Sequence, residues 1–517
     1  MELKKLPIGL QTFSKLREGH CYYVDKTPLI AQLLEEGECY FLSRPRRFGK
    51  SLLISTLKSA FAGEQELFKG LYLENNWDWS KKRPVIHISF GGGFFKSLEI
   101  LNSNFLYILN ETASHYKVVL TENNSADRFA ELIHLLHQLT GEKVVILVDE
   151  YDKPILDNID KKEIATELRE GLKNIYSVIK NSDKDIQFVF LTGVSKFSKI
   201  SLFSGLNNIR DISLSPKYAT LCGYTETEIK QVFTERLEGV DFKKLARWYN
   251  GYNFMGQKVY NPFGILLYLS EKQYKNYWFE TGSPSFLLKL VRDRQYNVPD
   301  MENIFLTESD LGSFDVDDIS LETVLFQTGY LTIDRVEQFG DERLFYLKFP
   351  NREVKASLNQ YLLRDLTHTI PSVITRQRFQ IYTALQDNNF TLLEQGFQTL
   401  FASIPNDWYR KNNIANYEGY YASIVYSCLC ASGFTVIAED STNQGRIDLT
   451  VIFDDKIFII EFKALDKNAK QGTALAQIKA KNYQQKYINR AKPVYLIGME
   501  FDKQQRNLSF FAVEECQ

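Results

Sequence analysis

The sequence predicts an α/β protein with two separate sheets: a parallel one near the N-terminus, covered on both faces, and a second α/β unit at the C-terminus. Three observations carry this. Between Cys39 and Ile212 the short apolar runs CYFLS, VIHISF, VVILVD and FVFLTG alternate with stretches of helical period, the pattern of buried parallel strands joined by helices. The first run leads directly into a basic turn and a helix. From residue 414 the alternation resumes around two strands that read as a hairpin.

A chain of 517 residues exceeds what one hydrophobic core accommodates, so roughly two to four domains are expected. Hydrophobic residues at 44% and charged residues at 24% are the balance of a globular chain rather than a disordered one. No run approaches the ~20 apolar residues that cross a bilayer, and MELKKLPIGL does not read as a signal peptide. No membrane partner is therefore expected. Cys21, Cys39, Cys222, Cys428, Cys430 and Cys516 form no CxxC pair, which suits a reduced, cytoplasmic chain. A net charge of -2 excludes a global basic field. Any nucleic-acid contact has to come from local patches and bound cations.

Residues 1–212 hold the first sheet, and within them YYVDKTPLIAQLLEEG predicts an N-capped helix with Pro28 in its first turn. Residues 213–300 turn helical in TETEIKQVFTERL and FKKLARWYNGY. In 301–360 the helix SLETVLFQTG precedes the strands YLTIDRV and LFYLKFP, an order compatible with a winged helix. Residues 361–413 read as a helical connector and 414–517 as the second α/β domain.

The turn after CYFLS is SRPRRFGKS. A phosphate-binding loop needs backbone N–H groups facing the phosphates, a lysine for the outer phosphates and a hydroxyl for magnesium. Gly49, Lys50 and Ser51 supply the last three elements, at the mouth of a helix whose N-terminus favours anions. Arg44 stands where GxxxxGK(S/T) has its first glycine, and Arg46 and Arg47 are placed to meet phosphate. In VVILVDEYDKP the strand ends in Asp149 and Glu150. The aspartate suits the magnesium ion that Ser51 also touches, and the glutamate suits the attacking water. FVFLTG ends in Thr192, where a residue can read the γ-phosphate.

In GRIDLTVIFDDKIFIIEFKAL the strands 447–453 and 456–464 flank Asp454-Asp455. A two-residue loop, the commonest kind, sets Asp448 directly across from Glu461. Opposed acids with Cβ atoms roughly 4.5–5.5 Å apart repel one another, and a hard divalent cation relieves them. Lys463 shares the face of Glu461 and can activate water or stabilise a charged phosphorane. Helix YEGYYASIVYSCLCASGF carries Glu418 in its first turn, on a stripe with Ala422, Val425 and Leu429. After the hairpin, Gln477 and Lys481 share one helix face, where a glutamine can orient a phosphate.

SRPRRFGKS, VDEYDKP, LTGVSKFSK, WYNGYNF and YNPF resemble the bacterial AAA-ATPase-like family. YEGYYASIVY, GRIDL, IIEFKA and ALAQIKAKNY are similar to its C-terminal PD-(D/E)XK nuclease domain. The resemblance implies a P-loop NTPase sheet with a helical lid and a winged-helix-like unit, then a restriction-endonuclease-like domain. It implies ATP and Mg2+ (or Mn2+) as cofactors, bound through Gly49, Lys50, Ser51, Asp149 and Glu150. It also implies a nuclease site at Asp448, Glu461 and Lys463, with Asp448 and Glu461 on the metal, Glu418 as the helix carboxylate and Gln477 as accessory. Nucleic acid, DNA ahead of RNA, is the implied partner, and a homo-oligomer is compatible with related ATPases.

Overall fold

The computed structural model describes residues 3–196, 208–279, 285–312, 319–406, 418–466 and 469–516. Two compact units emerge, one of Met1–Trp278 with Leu306–Phe345, the other of Phe279–Phe305 with Tyr346–Gln517.

The first unit contains a five-stranded, all-parallel sheet of β1 (Cys39–Ser43), β2 (Val85–Ser89), β3 (Val144–Asp149), β4 (Ile186–Gly193) and β5 (Arg210–Asp211), in the order β2-β3-β4-β1-β5. The four apolar runs are its four long strands, and every residue of β3 is buried. β4 lies between β1 and β3, with Leu42 opposite Thr192 and Val148 opposite Leu191. The carboxyl ends of β1, β3 and β4 therefore share one sheet edge, where ligands of open α/β sheets bind.

Helix α1 (Thr27–Glu36) starts with Pro28 in its first turn. The residue preceding it, Lys26, makes no side-chain cap; Asp25 accepts instead from the Thr27 N–H and hydroxyl. α2 (Lys50–Phe61) follows Gly49, whose φ of 90° is left-handed. α3 (Leu98–Tyr116), α4 (Ser125–Thr140) and α5 (Lys162–Asn181) bury apolar faces such as Leu101, Phe105 and Leu109, and Leu168, Leu172 and Ile175, the spacing of one helical stripe. α6 (Glu226–Val232), α7 (Phe242–Tyr249) and α8 (Pro262–Glu271) build a second core of Ile229, Phe233, Leu245, Tyr249 and Ile265 with Tyr22 and Val24.

β6 (Phe305–Thr307) belongs to a three-stranded sheet with β7 (Thr332–Phe339) and β8 (Glu342–Lys348). α9 (Leu321–Gln327) precedes the β7–β8 pair, so a helix followed by two strands occupies 301–360 as expected.

In the second unit α10 (Arg352–Thr367), α11 (Pro371–Gln386) and α12 (Phe390–Ala402) occupy most of the stretch read as a connector. They fall within the second compact unit. Their buried Leu358, Leu362 and Leu363 need an apolar partner, and α13 (Glu418–Ala431) is buried along almost its whole length. Tyr420 donates to the Leu366 carbonyl at 2.8 Å, and the Phe401 and Tyr421 rings lie 5.7 Å apart. The unit borders at Trp278/Phe279, Phe305/Leu306 and Phe345/Tyr346 differ from the segment limits at 300/301 and 360/361. The limit at 413/414 lies outside the described residues.

A mixed sheet completes this unit: β9 (Thr435–Thr442), β10 (Gly445–Ile452), β11 (Ile457–Leu465), β12 (Val494–Asp502) and β13 (Asn507–Cys516), in the order β13-β12-β11-β10-β9. Only β11 and β12 are parallel, joined through α14 (Thr473–Ala480). All six cysteines are free thiols and five are buried. Among the described residues no helix is long and apolar enough to cross a membrane.

Candidate functional site

At the parallel sheet's edge, Lys50 is buried and donates to the carbonyls of Arg44 and Pro45, both at 2.9 Å. Burial lowers its pKa, and Asp149, Asp152 and Glu150 oppose that. Ser51, half-buried, follows in the first turn of α2. Asp149 is buried and accepts from the Thr192 hydroxyl at 2.8 Å. β4 sits beside β3, so the Thr192 hydroxyl reaches the Asp149 carboxylate at the end of the neighbouring strand.

Glu150 has a φ of 54°, left-handed and uncommon for a non-glycine residue. Burial and then Asp149 raise its pKa, while Lys50 lowers it. A methyl at Gly91 would come within 3.3 Å of its carboxylate, so the turn after β2 walls this acid closely. Arg46 and Arg47 are exposed, Arg47 over the Phe263 ring at 5.0 Å, whereas Arg44 turns inward. Asp152 was not singled out from sequence, although VDEYDKP displays it. Its carboxylate accepts from the Val194 and Ser195 N–H groups at 3.0 and 2.6 Å and from the Ser195 hydroxyl, tying the end of β3 to that of β4.

In the C-terminal unit the expected hairpin register holds, from Ile452 opposite Ile457 to Leu449 opposite Ile460. The ladder then stops at Asp448. The Phe462 N–H donates to the Asp448 carboxylate at 2.7 Å instead of to a backbone carbonyl. On the other flank β9 pairs Ala438 with Leu449 and Asp440 with Ile447 but skips Glu439, whose φ is 50°. That kink also moves Ile447 onto the face of Ile457 and Ile459, against simple alternation.

Glu461 is buried, and its pKa rises to about 8, from burial first and then from the charge of Asp448. Asp448 is raised to about 6, by burial first, with Glu418 and Glu439 adding to it. The Lys463 ammonium lies 3.9 Å from Glu461, and the Gln477 amide donates to the same carboxylate oxygen. Gln477 is thereby brought from its helix to Glu461. Glu418 is exposed rather than core-facing, because it is the first residue of α13, and it accepts from the Ala464 N–H at 2.9 Å.

The other oxygen of Glu461, Oε2, is buried without a hydrogen-bond partner. A lone buried carboxylate oxygen is costly, and a hard cation is a partner such an oxygen accepts. The donor set fits a divalent ion. Among the described residues no three His, Cys, Asp or Glu side chains form a metal-ligating group; magnesium commonly takes one or two carboxylates, with water and phosphate completing its shell.

A family model described as "Predicted AAA-ATPase" matches residues 7–203, and one described as "PD-(D/E)XK nuclease superfamily" matches residues 416–511. A protein from Azotobacter chroococcum mcd 1, described as "Uncharacterized protein in vnfD 5'region", is 49% identical over 516 residues, covering 99% of each chain. The chain belongs to the AAA-ATPase-like family with a C-terminal PD-(D/E)XK nuclease-superfamily domain.

Two residues that hold the surroundings of Glu461 together were not singled out from the sequence. Gly498 pairs with Glu461, and a methyl there would meet the Leu475 backbone nitrogen at 2.6 Å, so glycine lets α14 lie against β12. Glu500, fully buried, accepts from the Gly472 and Ala474 N–H groups and the Thr473 hydroxyl at 2.8–2.9 Å. It caps the start of α14 from a neighbouring strand, where a carboxylate also meets the positive end of the helix dipole. Together they carry Gln477 to Glu461. No local pattern announces either residue, since both act across a strand-to-helix contact.

Proposed function

We propose that this AAA-ATPase-like protein binds and hydrolyses ATP through Gly49, Lys50, Ser51, Asp149 and Glu150. Its PD-(D/E)XK domain, with Mg2+ or Mn2+, hydrolyses phosphodiester bonds of nucleic acid, DNA ahead of RNA, with cutting governed by nucleotide state. One observation carries the nuclease reading: a buried, unpartnered Glu461 oxygen beside a second acid, Asp448, that raises its pKa. A binding surface alone has no need to bury such a pair.

A divalent ion bound by Asp448 and Glu461 would polarise the scissile phosphate and lower the pKa of an attacking water. Lys463 offers its ammonium to the charge that builds on phosphorus oxygens, and Gln477 fixes the carboxylate of Glu461. Glu418 clasps the Ala464 backbone, one residue beyond Lys463. In the N-terminal unit Lys50 meets the outer phosphates, Thr192 orients Asp149, and Glu150 takes the water-polarising role. Arg46 and Arg47, exposed at the loop, meet phosphate from the solvent side.

The test is plasmid cleavage in Mg2+ and Mn2+, with and without ATP, comparing wild type with Asp448→Ala and Lys50→Ala. Asp448→Ala abolishes cutting, and Lys50→Ala removes its ATP dependence. DNA binding without cleavage by the wild type in either metal identifies the chain instead as a nucleotide switch whose C-terminal domain only binds.

A further inference from the structure

With Arg44 in the place of a loop glycine, the shape of this P-loop has to come from its surroundings. Arg44 is buried, and its guanidinium donates to the carbonyls of Ser43, Ser213 and Tyr218 at 2.8, 2.7 and 3.3 Å. Its Cζ lies 3.9 Å from the centroid of the Phe254 ring. Pro45 packs on Gly329, where a methyl would come within 2.6 Å of the proline ring. The carbonyl of Arg46 accepts from the Trp278 indole N–H at 2.9 Å. Phe48 meets the Tyr252 ring edge-on at 4.7 Å, and Tyr252 and Tyr330 lie 6.5 and 5.5 Å from the Trp278 ring. Residues from 252 to 330 thus grip the loop at four of its positions, all within one compact unit.

Lys50 takes its two acceptors, the Arg44 and Pro45 carbonyls, from this gripped backbone. A phosphate that draws the ammonium away leaves two buried acceptors to re-pair, which costs free energy unless the backbone shifts. Such a shift is passed to whatever holds the next carbonyl, and that is Trp278. Phe279, the residue after it, already belongs to the other compact unit.

We propose that Arg44 and Trp278 are positioning residues for the phosphate-binding Lys50, and that nucleotide binding at the P-loop is sensed at Trp278. The proposal rests on the reading of the P-loop as the nucleotide site. It goes beyond that reading by assigning the loop's geometry to side chains far away in sequence.

The experiment titrates ATP with Mg2+ into the full-length chain, reading affinity by calorimetry and tryptophan emission in parallel, for wild type, Trp278→Phe, Arg44→Lys and Lys50→Ala. In the wild type ATP changes the emission. Trp278→Phe keeps a ring but loses the donor to Arg46; the change disappears and ATP binds about 3- to 10-fold more weakly, one neutral hydrogen bond's worth. Its KM for ATP rises while kcat at saturation, measured well below the melting temperature, stays near wild type, a split that a merely structural role does not produce. The lost buried donor and ring volume lower the melting temperature by a few degrees. Arg44→Lys retains charge without a planar fork for three carbonyls and weakens binding further; if it fails to fold, Trp278→Phe carries the test alone. Wild-type affinity with an intact emission change in Trp278→Phe overturns the proposal. A folded wild type that binds no ATP overturns the nucleotide reading itself.

Discussion

Replacing one acid of the buried pair stabilises the metal-free protein at alkaline pH. Asp448 and Glu461 are raised to about 6 and about 8 from ordinary values of 3.8 and 4.5. Both therefore hold protons more tightly folded than unfolded. The stability they contribute is complete below the unfolded values near 4 and drains away as pH rises through about 6 and then about 8. Two unit charges at roughly 5 Å repel by about 3 kcal/mol at an effective dielectric constant of 20. Asp448→Asn removes that repulsion and keeps an oxygen for the Phe462 N–H, but it forgoes the attraction of Lys463. A net gain of about 1–2 kcal/mol is expected above pH 8. For a unit of roughly 200 residues that is a rise of about 2–8 °C in melting temperature. Differential scanning calorimetry in EDTA at pH 5.5, 7 and 9 should show the gap between variant and wild type opening with pH. Added Mn2+ or Mg2+ should then raise the wild type more than Asp448→Asn, because the variant has lost a charged ligand. A variant less stable than wild type at pH 9 without metal, or equal metal responses, refutes the reasoning.

Thr192→Val removes the donor at 2.8 Å from Asp149. It should cost about 1–3 kcal/mol in urea unfolding and raise the Mg2+ concentration needed for ATP turnover; an unchanged magnesium requirement counts against Thr192 as the residue that orients Asp149. Gly498→Ala sets a methyl 2.6 Å from the Leu475 backbone nitrogen, which only a shift of α14 can relieve. A loss of about 1–3 kcal/mol is expected, together with a fall in metal-dependent cleavage; full cleavage activity would show that α14 does not set the Glu461 geometry. Glu150→Gln should bind ATP as wild type does while hydrolysis falls by about 100-fold or more. Near-normal turnover would move the water-polarising role to another residue.

Legibility in the sequence follows the range of the interaction. The four long strands of the parallel sheet and the two hairpin strands could be read because buried strands need continuous apolar runs or strict alternation, whereas β5, β9, β12 and β13 were not singled out. The hairpin register could be read because a side-chain period of two and a short turn leave one pairing that buries Phe458, Ile460 and Phe462 together. That pairing put Asp448 and Glu461 side by side before any coordinates. The helices of 361–413 read as a connector because amphipathic spacing shows that a helix has a buried face, without naming what covers it.

The sequence alone determined which chemistry is present: a lysine and a serine at a helix mouth, acids at strand ends, and two carboxylates with a lysine on one hairpin. Tertiary structure alone decided how those groups are held. Trp278 on the Arg46 carbonyl, Asp152 on Ser195, Glu500 on α14 and the ladder break at Asp448 all join segments that local pattern treats separately. A residue's type and spacing set what it can donate or accept, whereas its partner is chosen by the folded path of the rest of the chain.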